Sequence, residues 1–319
     1  MNLPKLESIP TAEQIVNVHQ AIQPMIRRTP LFHNEILDEL CGAKVYLKAE
    51  NMQKIGAFKM RGASAAVSAL NAEERKAGVC THSSGNHAQA IALAAKLHRL
   101  PAFIVMPENA PRVKYEGTIR EGAKVTFCKP TVEAREEILQ QVIKETGATF
   151  IHPYNDYNVI AGQATAAKEI LEDTEVDILI TPVGGGGLLS GTALWAYYAF
   201  PHIKVFGAEP RQVDDASRSL HSGKIEKNST SNTVADGLKT NLGEYTFELI
   251  HRHVHDIFTV SEEEIIAAMK LTWQYTKLVI EPSSAVPVAV LLKQYPVFLG
   301  KRIGLILSGG NVDLSHLPF

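Results

Sequence analysis

DILITPVGGGGLLSGTALWAYY, residues 177–198, is the stretch on which the fold turns. Its first part, ILITPV, is an almost unbroken apolar run. Such a run suits a strand buried on both faces, as in a parallel sheet covered by helices. Gly184 to Gly187 close the run, and LLSGTALWAYY continues it as a helix. Strand, glycine turn and helix in this order form half of a β-α-β unit.

The same alternation extends outward along the chain. VYLKAE (45–50), VCTHSS (79–84), AFIVMP (102–107), KVTFC (124–128) and TFIHP (149–153) read as strands before it. KVFGAEP (204–210), DIFTV (256–260) and IGLILSGG (303–310) read as strands after it. Between them lie the helix-like stretches NHAQAIALAAKLH, EAREEILQQVIKETG and SEEEIIAAMKLTWQYT. The last opens with Ser261 and Glu264 in a capping-box spacing. The fold class is therefore α/β with parallel sheets, and the number of strands in 319 residues favours two of them.

Composition narrows the function classes. With 45% hydrophobic and 21% charged residues and a formal charge of −2, the chain is that of an ordinary globular protein. Nothing in that charge calls for a nucleic acid or an anionic membrane as partner. No apolar run approaches the ~20 residues of a membrane span. The N-terminal MNLPKLESIPTAEQ lacks the basic and apolar parts of a secretory signal. Cys41, Cys80 and Cys128 show neither metal-ligand spacing nor a disulfide framework, which suits a reducing cytoplasm.

Six groups of residues carry chemical meaning. Gly184 to Gly187 read either as a packing turn or as a cup of N–H groups for a small phosphate at a helix N-terminus. The spacing fits neither a dinucleotide site nor a Walker loop. Lys59, in GAFKMRG, sits between Phe58 and Met60, whose apolar bulk would lower its pKa and free the amine for covalent chemistry. Ser83-Ser84-Gly85-Asn86-His87 joins a strand to a helix, as a cap or as a carboxylate cradle. Ser308, in LSGGN, ends the last strand and can serve as a neutral hydrogen-bond partner for a ring nitrogen. Glu209, Asp214 and Asp215 gather after another strand, as a polar loop or as oxygen ligands for a hard cation. His251, His253 and His255 alternate, as on a strand, and read as solvated residues or metal ligands. An aldehyde-capturing amine, a carboxylate cradle, a phosphate cup and a partner for a heterocyclic nitrogen together describe a pyridoxal phosphate (PLP) site.

These motifs occur in order with Arg28-Thr29-Pro30-Leu31, Val159-Ile160-Ala161-Gly162-Gln163, Val234-Ala235-Asp236-Gly237, Ile280-Glu281-Pro282 and Ser308-Gly309-Gly310-Asn311-Val312-Asp313. Nearly end to end, the chain resembles fold-type II PLP enzymes of the serine racemase and serine/threonine dehydratase group. The resemblance implies two parallel-sheet domains of tryptophan synthase β-like architecture. A large PLP-binding domain would span 1–72 and 151–319, and a small mobile domain 73–150. Lys59 would carry PLP and remove the substrate α-proton, and Phe58 would pack by the ring. Asn86 would contact the ring hydroxyl, Gly184, Gly185, Gly186 and Gly187 the phosphate, and Ser308 the pyridine nitrogen. Ser83, Ser84, Asn86 and His87 would hold the substrate carboxylate.

The resemblance also implies an activity: loss of the β-hydroxyl and ammonia from L-serine or L-threonine to give a 2-oxo acid. Ser84 matches the serine that, in the racemases, protonates the α-carbon from the face opposite the lysine. Arg135 matches a residue near the substrate's distal end, where a guanidinium would pair with the β-carboxylate of L-threo-3-hydroxyaspartate. Glu209, Asp215 and the carbonyl of Val213 match a site for Mg²⁺, Mn²⁺ or Ca²⁺. Gln89 and Lys114 match the ATP site of eukaryotic racemases, but Glu121 stands where that site has an aromatic residue, which puts ATP activation in doubt. A cytoplasmic homodimer acting on small amino acids is expected. A β-replacing synthase and a non-catalytic PLP-binding protein are the competing readings.

Overall fold

The computed structural model describes residues 3–83, 85–110 and 112–319. The chain divides into two compact units, one of Met1–Arg27 with Lys59–Gly162, the other of Arg28–Phe58 with Gln163–Phe319. The expected small domain, 73–150, lies wholly inside the first unit, which also takes in 59–72, 151–162 and the chain before residue 28.

Ten strands occur among the described residues: β1 (Leu31–His33), β2 (Lys44–Ala49), β3 (Val79–His82), β4 (Ala102–Pro107), β5 (Lys124–Cys128), β6 (Thr149–Phe150), β7 (Ile178–Pro182), β8 (Lys204–Pro210), β9 (Asp256–Val260) and β10 (Arg302–Leu307). Nine of them fall on the strands expected from the apolar runs. The addition is β1, three residues pairing antiparallel with β2. Leu31-Phe32-His33 is too short to show a period and directly follows Pro30.

The first unit holds a four-stranded sheet in the order β5-β4-β3-β6, and all its pairs are parallel. Its core joins Cys80 and Val105 to Leu139 and Val142 of the helix Val132–Thr146. The edge strand β5 leaves most of its residues partly or fully exposed.

The second unit holds a six-stranded sheet, β1-β2-β10-β7-β8-β9, parallel except for β1. All five residues of β7 are buried, which is the physical source of the apolar run. The helix Pro282–Leu292 packs in the same core, with Val286, Val288 and Val290 against Ile180, Leu305 and Leu307. Lys48 of β2 forms a fully buried ion pair with Glu169 at 2.7 Å, and its amine also donates to the Thr29 carbonyl. Breaking such a pair by removing one partner costs about 3–5 kcal/mol. The expected capping box is present: Ser261 Oγ accepts from the Glu264 N–H, and the Glu264 carboxylate accepts from the Ser261 N–H.

Candidate active site

In the first unit, Lys59 is the first residue of the helix Lys59–Ser68. Its Nζ donates to the carbonyl of Pro153 at 2.8 Å. Burial lowers the amine to about 8, because a charge out of water is disfavoured. A substantial neutral fraction therefore exists near neutral pH, and only the neutral amine attacks a carbonyl.

Ser83 follows the end of β3, where parallel strands of α/β folds present their ligand-binding edge. Its N–H bonds the Val105 carbonyl, and its Oγ accepts from the Gly85 N–H at 3.2 Å. The helix Asn86–His98 starts immediately afterwards. Asn86 and His87 thus stand in a first turn whose N–H groups have no partner within the helix, a setting that favours a carboxylate. Ser84 lies outside the described residues.

His87 is buried, and its Nε2 is 3.2 Å from the Ile151 carbonyl, to which it must donate. The same carbonyl accepts from Thr81 Oγ1. His87 Nδ1 therefore keeps its lone pair, and it has no hydrogen-bond partner among the described residues. Burial, and after it the Lys59 charge, hold this imidazole well below its usual pKa. A neutral ring in this tautomer cannot donate to a carboxylate from Nδ1. What His87 can offer a carboxylate is its backbone N–H.

Arg135 is partly buried in the first turn of the helix Val132–Thr146. Its charge reaches His82, where it adds to burial in lowering that imidazole. Glu121 ion-pairs with Lys96 at 3.1 Å, while Gln89 and Lys114 are buried.

In the second unit, Gly184 to Gly187 are all buried between β7 and the helix Gly187–Ala199. Gly186 has φ +89°, and a Cβ there would lie 2.8 Å from both Leu242 Cδ2 and Thr246 Cβ. Thr246 Oγ1 donates to the Gly185 carbonyl at 2.8 Å. The turn is held rigidly, and its backbone leads into a helix N-terminus as a phosphate cup must.

Ser308 follows β10 and is buried. Its Oγ lies 3.0 Å from Ser284 Oγ, and its carbonyl accepts from the Phe58 N–H at 2.9 Å. The segment around Phe58 is held further by the Gly310 N–H to the Gly56 carbonyl and by Asn311 Nδ2 to the Ile55 carbonyl. Ser284 was not among the expected site residues. The sequence signal available was only its place two residues after Glu281-Pro282.

Glu209 lies in β8, Val213 in a short 3₁₀ turn, and Asp215 opens the helix Asp215–Ser222. Both carboxyl groups are fully buried. Glu209 accepts from the N–H groups of Ala216 and Ser217 at 3.0 and 2.9 Å. Asp215 accepts from Asn228 Nδ2 at 2.6 Å and the Leu242 N–H at 2.9 Å. Burial, then the Asp215 charge, push Glu209 well above the usual carboxylate range, and burial raises Asp215 to about 6. Two buried like charges are the setting that a divalent cation relieves. No group of three or more His, Cys, Asp or Glu side chains placed to hold a metal ion occurs among the described residues. His251 and His253 lie in the helix Glu244–His253, with His255 beyond it. The alternation considered for a strand is therefore absent, and these residues suit a helix C-terminus instead.

Residues 22–309 match the family described as pyridoxal-phosphate dependent enzyme. The β-hydroxyaspartate dehydratase of Paracoccus denitrificans is 47% identical over 312 residues, covering 98% of this chain and 99% of that protein. The serine racemase of Dictyostelium discoideum is 48% identical, covering 96% of each. The solved structure of maize serine racemase matches with a TM-score of 0.94 at 41% identity, over 97% of this chain and 95% of that one.

Proposed function

The chain belongs to the pyridoxal-phosphate dependent enzymes, and on that premise we propose that it is an L-serine/L-threonine ammonia-lyase with serine racemase activity. The observation that carries this reading is the Lys59 amine, lowered to about 8 and set 2.8 Å from the Pro153 carbonyl among neutral imidazoles. Bound PLP supplies an electron sink for the substrate α-carbon. Lys59 would hold the cofactor through its aldehyde carbon and would serve as the base for the substrate α-proton. The first turn at Asn86 and His87, with Ser83 and Ser84, orients the substrate carboxylate. Phe58 and Asn86 would position the cofactor ring, Gly184 to Gly187 would bind its phosphate, and Ser308 would offer its pyridine nitrogen a neutral hydrogen-bond partner. Serine yields pyruvate and threonine 2-oxobutyrate, each with ammonia. Ser84 protonates the α-carbon from the second face and so yields D-serine.

Glu209, Asp215 and the Val213 carbonyl hold Mg²⁺, or Mn²⁺ or Ca²⁺, which compensates the buried carboxylates. The segment 73–150, which lies inside the first unit, would be the mobile part, and the rest of the chain the large domain. The enzyme works in the cytoplasm as a homodimer. Three buried free cysteines suit such a compartment, and no helix among the described residues is long and apolar enough to cross a membrane.

A second reading, L-threo-3-hydroxyaspartate ammonia-lyase, is favoured by the charge of Arg135 acting at His82, the last residue of β3, and by the Paracoccus relative. One assay separates the two. The PLP-loaded protein with Mg²⁺ is given L-serine, D-serine, L-threonine and L-threo-3-hydroxyaspartate, and 2-oxo acid and inverted enantiomer are measured. Oxo acid from L-serine and L-threonine with D-serine appearing is the expected result. Oxo acid mainly from hydroxyaspartate moves the assignment to the second reading, and no product from any substrate refutes both.

A further inference from the structure

The loop after β6 contains two turns of the same design. Asp156 Oδ1 accepts from the N–H groups two and three residues on, Asn158 at 2.7 Å and Val159 at 3.2 Å. This is the usual way in which a short acidic or amide side chain closes a turn. Four residues earlier, His152 Nδ1 accepts from the N–H groups of Tyr154 at 3.2 Å and Asn155 at 2.9 Å. Nδ1 of histidine stands at the same branch position as Oδ1 of aspartate or asparagine, so the imidazole reproduces the turn. The ring is held by edge-on contacts with Phe150 and Tyr154, at 5.8 and 4.5 Å between centroids. The residue enclosed by the turn is Pro153, whose carbonyl accepts from Lys59 Nζ at 2.8 Å.

Resting on the reading of Lys59 as the PLP-binding lysine, we propose that His152 is a positioning residue: a neutral turn-former that fixes the Pro153 carbonyl as the resting acceptor for the Lys59 amine. Aspartate at position 152 would close the same turn, but its charge would hold the amine protonated. Histidine closes the turn without a charge, provided that Nδ1 stays unprotonated. Burial, then the charges of His82 and Lys59, keep it so by lowering this imidazole to about 4. The charge of Lys59 acts on His87, from the helix Asn86–His98, and on His152, and His82 from β3 acts on both of these imidazoles. Arg135 and Glu136 act on His82 in turn.

The test uses the full chain stripped of cofactor, with the rate of PLP capture followed by the absorbance of the lysine-bound chromophore across pH, and thermal melts as a fold control. His152→Asn keeps an acceptor at the right position and loses the ring. His152→Phe keeps the ring contacts and loses the acceptor. His152→Asp keeps the acceptor and adds a charge. The expected result is that His152→Asn stays within about twofold of the unmodified rate with the same pH midpoint, whereas His152→Phe is slowed about tenfold. His152→Asp should move the midpoint upward by about one pH unit, as an opposite charge near an amine does. Equal slowing of the Asn and Phe variants, an unslowed Phe variant, or an unshifted Asp variant would each overturn the proposal. If the Phe variant does not melt cooperatively, the Asn and Asp variants decide. An unmodified chain that captures no PLP refutes the reading of Lys59 and this inference with it. Capture by the unmodified chain with the wrong variant pattern refutes the inference alone.

Discussion

Ser284 Oγ lies 3.0 Å from Ser308 Oγ and at the same time bonds both the N–H and the carbonyl of Gly309 at 2.7 Å. A hydroxyl has one proton to give. If it goes to Ser308 Oγ, the Ser308 hydroxyl is left free to turn its own proton elsewhere; if it goes to the Gly309 carbonyl, the 3.0 Å contact needs Ser308 as the donor. Ser284→Ala leaves two buried backbone groups without this partner. The expected cost is about 1–3 kcal/mol of stability, read by urea unfolding, together with a changed absorbance of bound PLP. An absorbance identical to the parent would remove Ser284 from any role in setting Ser308.

The Lys59 amine makes the cofactor-free chain sensitive to alkaline pH. Its folded pKa, about 8, lies below the ordinary lysine value of 10.5. Between these values the unfolded state binds more protons than the folded one, so stability rises with pH across that window and the gain is complete above it. Comparison of Lys59→Met with the parent in urea at pH 7, 9 and 10.5 should show this difference. Lys59→Met should also lose covalently bound PLP and all turnover. A parent and variant with the same pH slope would show that the amine is not desolvated.

Gly186→Ala puts a side chain at φ +89° within 2.8 Å of Leu242 and Thr246. A non-glycine residue held in such a conformation costs about 1–3 kcal/mol, and the displaced turn should release PLP more readily. Dialysis against buffer, followed by absorbance, measures the retention. Unchanged retention at unchanged Tm would show that the glycine turn is not a phosphate cup.

Glu209 and Asp215 should respond to divalent cations. Mg²⁺ should raise the Tm of the parent after treatment with a chelator. Asp215→Asn, which keeps a hydrogen-bonding side chain beside Asn228 and Leu242 but removes one charge, should abolish that rise. A rise of equal size in the variant would place the cation elsewhere.

Arg135→Ala should lower kcat/KM for L-threo-3-hydroxyaspartate by about tenfold or more relative to L-serine, since a paired carboxylate loses its partner. Equal losses on both substrates would assign Arg135 a structural role near His82.

Elements governed by their own neighbours were legible in the chain. A strand buried on both faces must be apolar throughout, so β7 and β10 announced themselves, and the capping box of Ser261 and Glu264 spans only three residues. Gly184 to Gly187 and Lys59 were legible because a glycine run after a strand and a lysine between apolar residues are local patterns. The strand β1 was not, being too short for a period, and the three histidines proved to straddle a helix end.

By itself, then, the sequence determined the α/β class and the parallel strands and marked the candidate residues of a site, because burial and turn chemistry leave local marks. Tertiary structure alone decided that Ser284 adjoins Ser308 across 24 positions and that Lys59 reaches Pro153 across 94. It also decided which nitrogen of His87 is bound to Ile151 and that His152 acts as a turn-former. The reason is physical: a hydroxyl, a carbonyl or an imidazole looks the same in any sequence. Its protonation and its partner are set by the groups that folding brings within about 3 Å and by the water that folding removes.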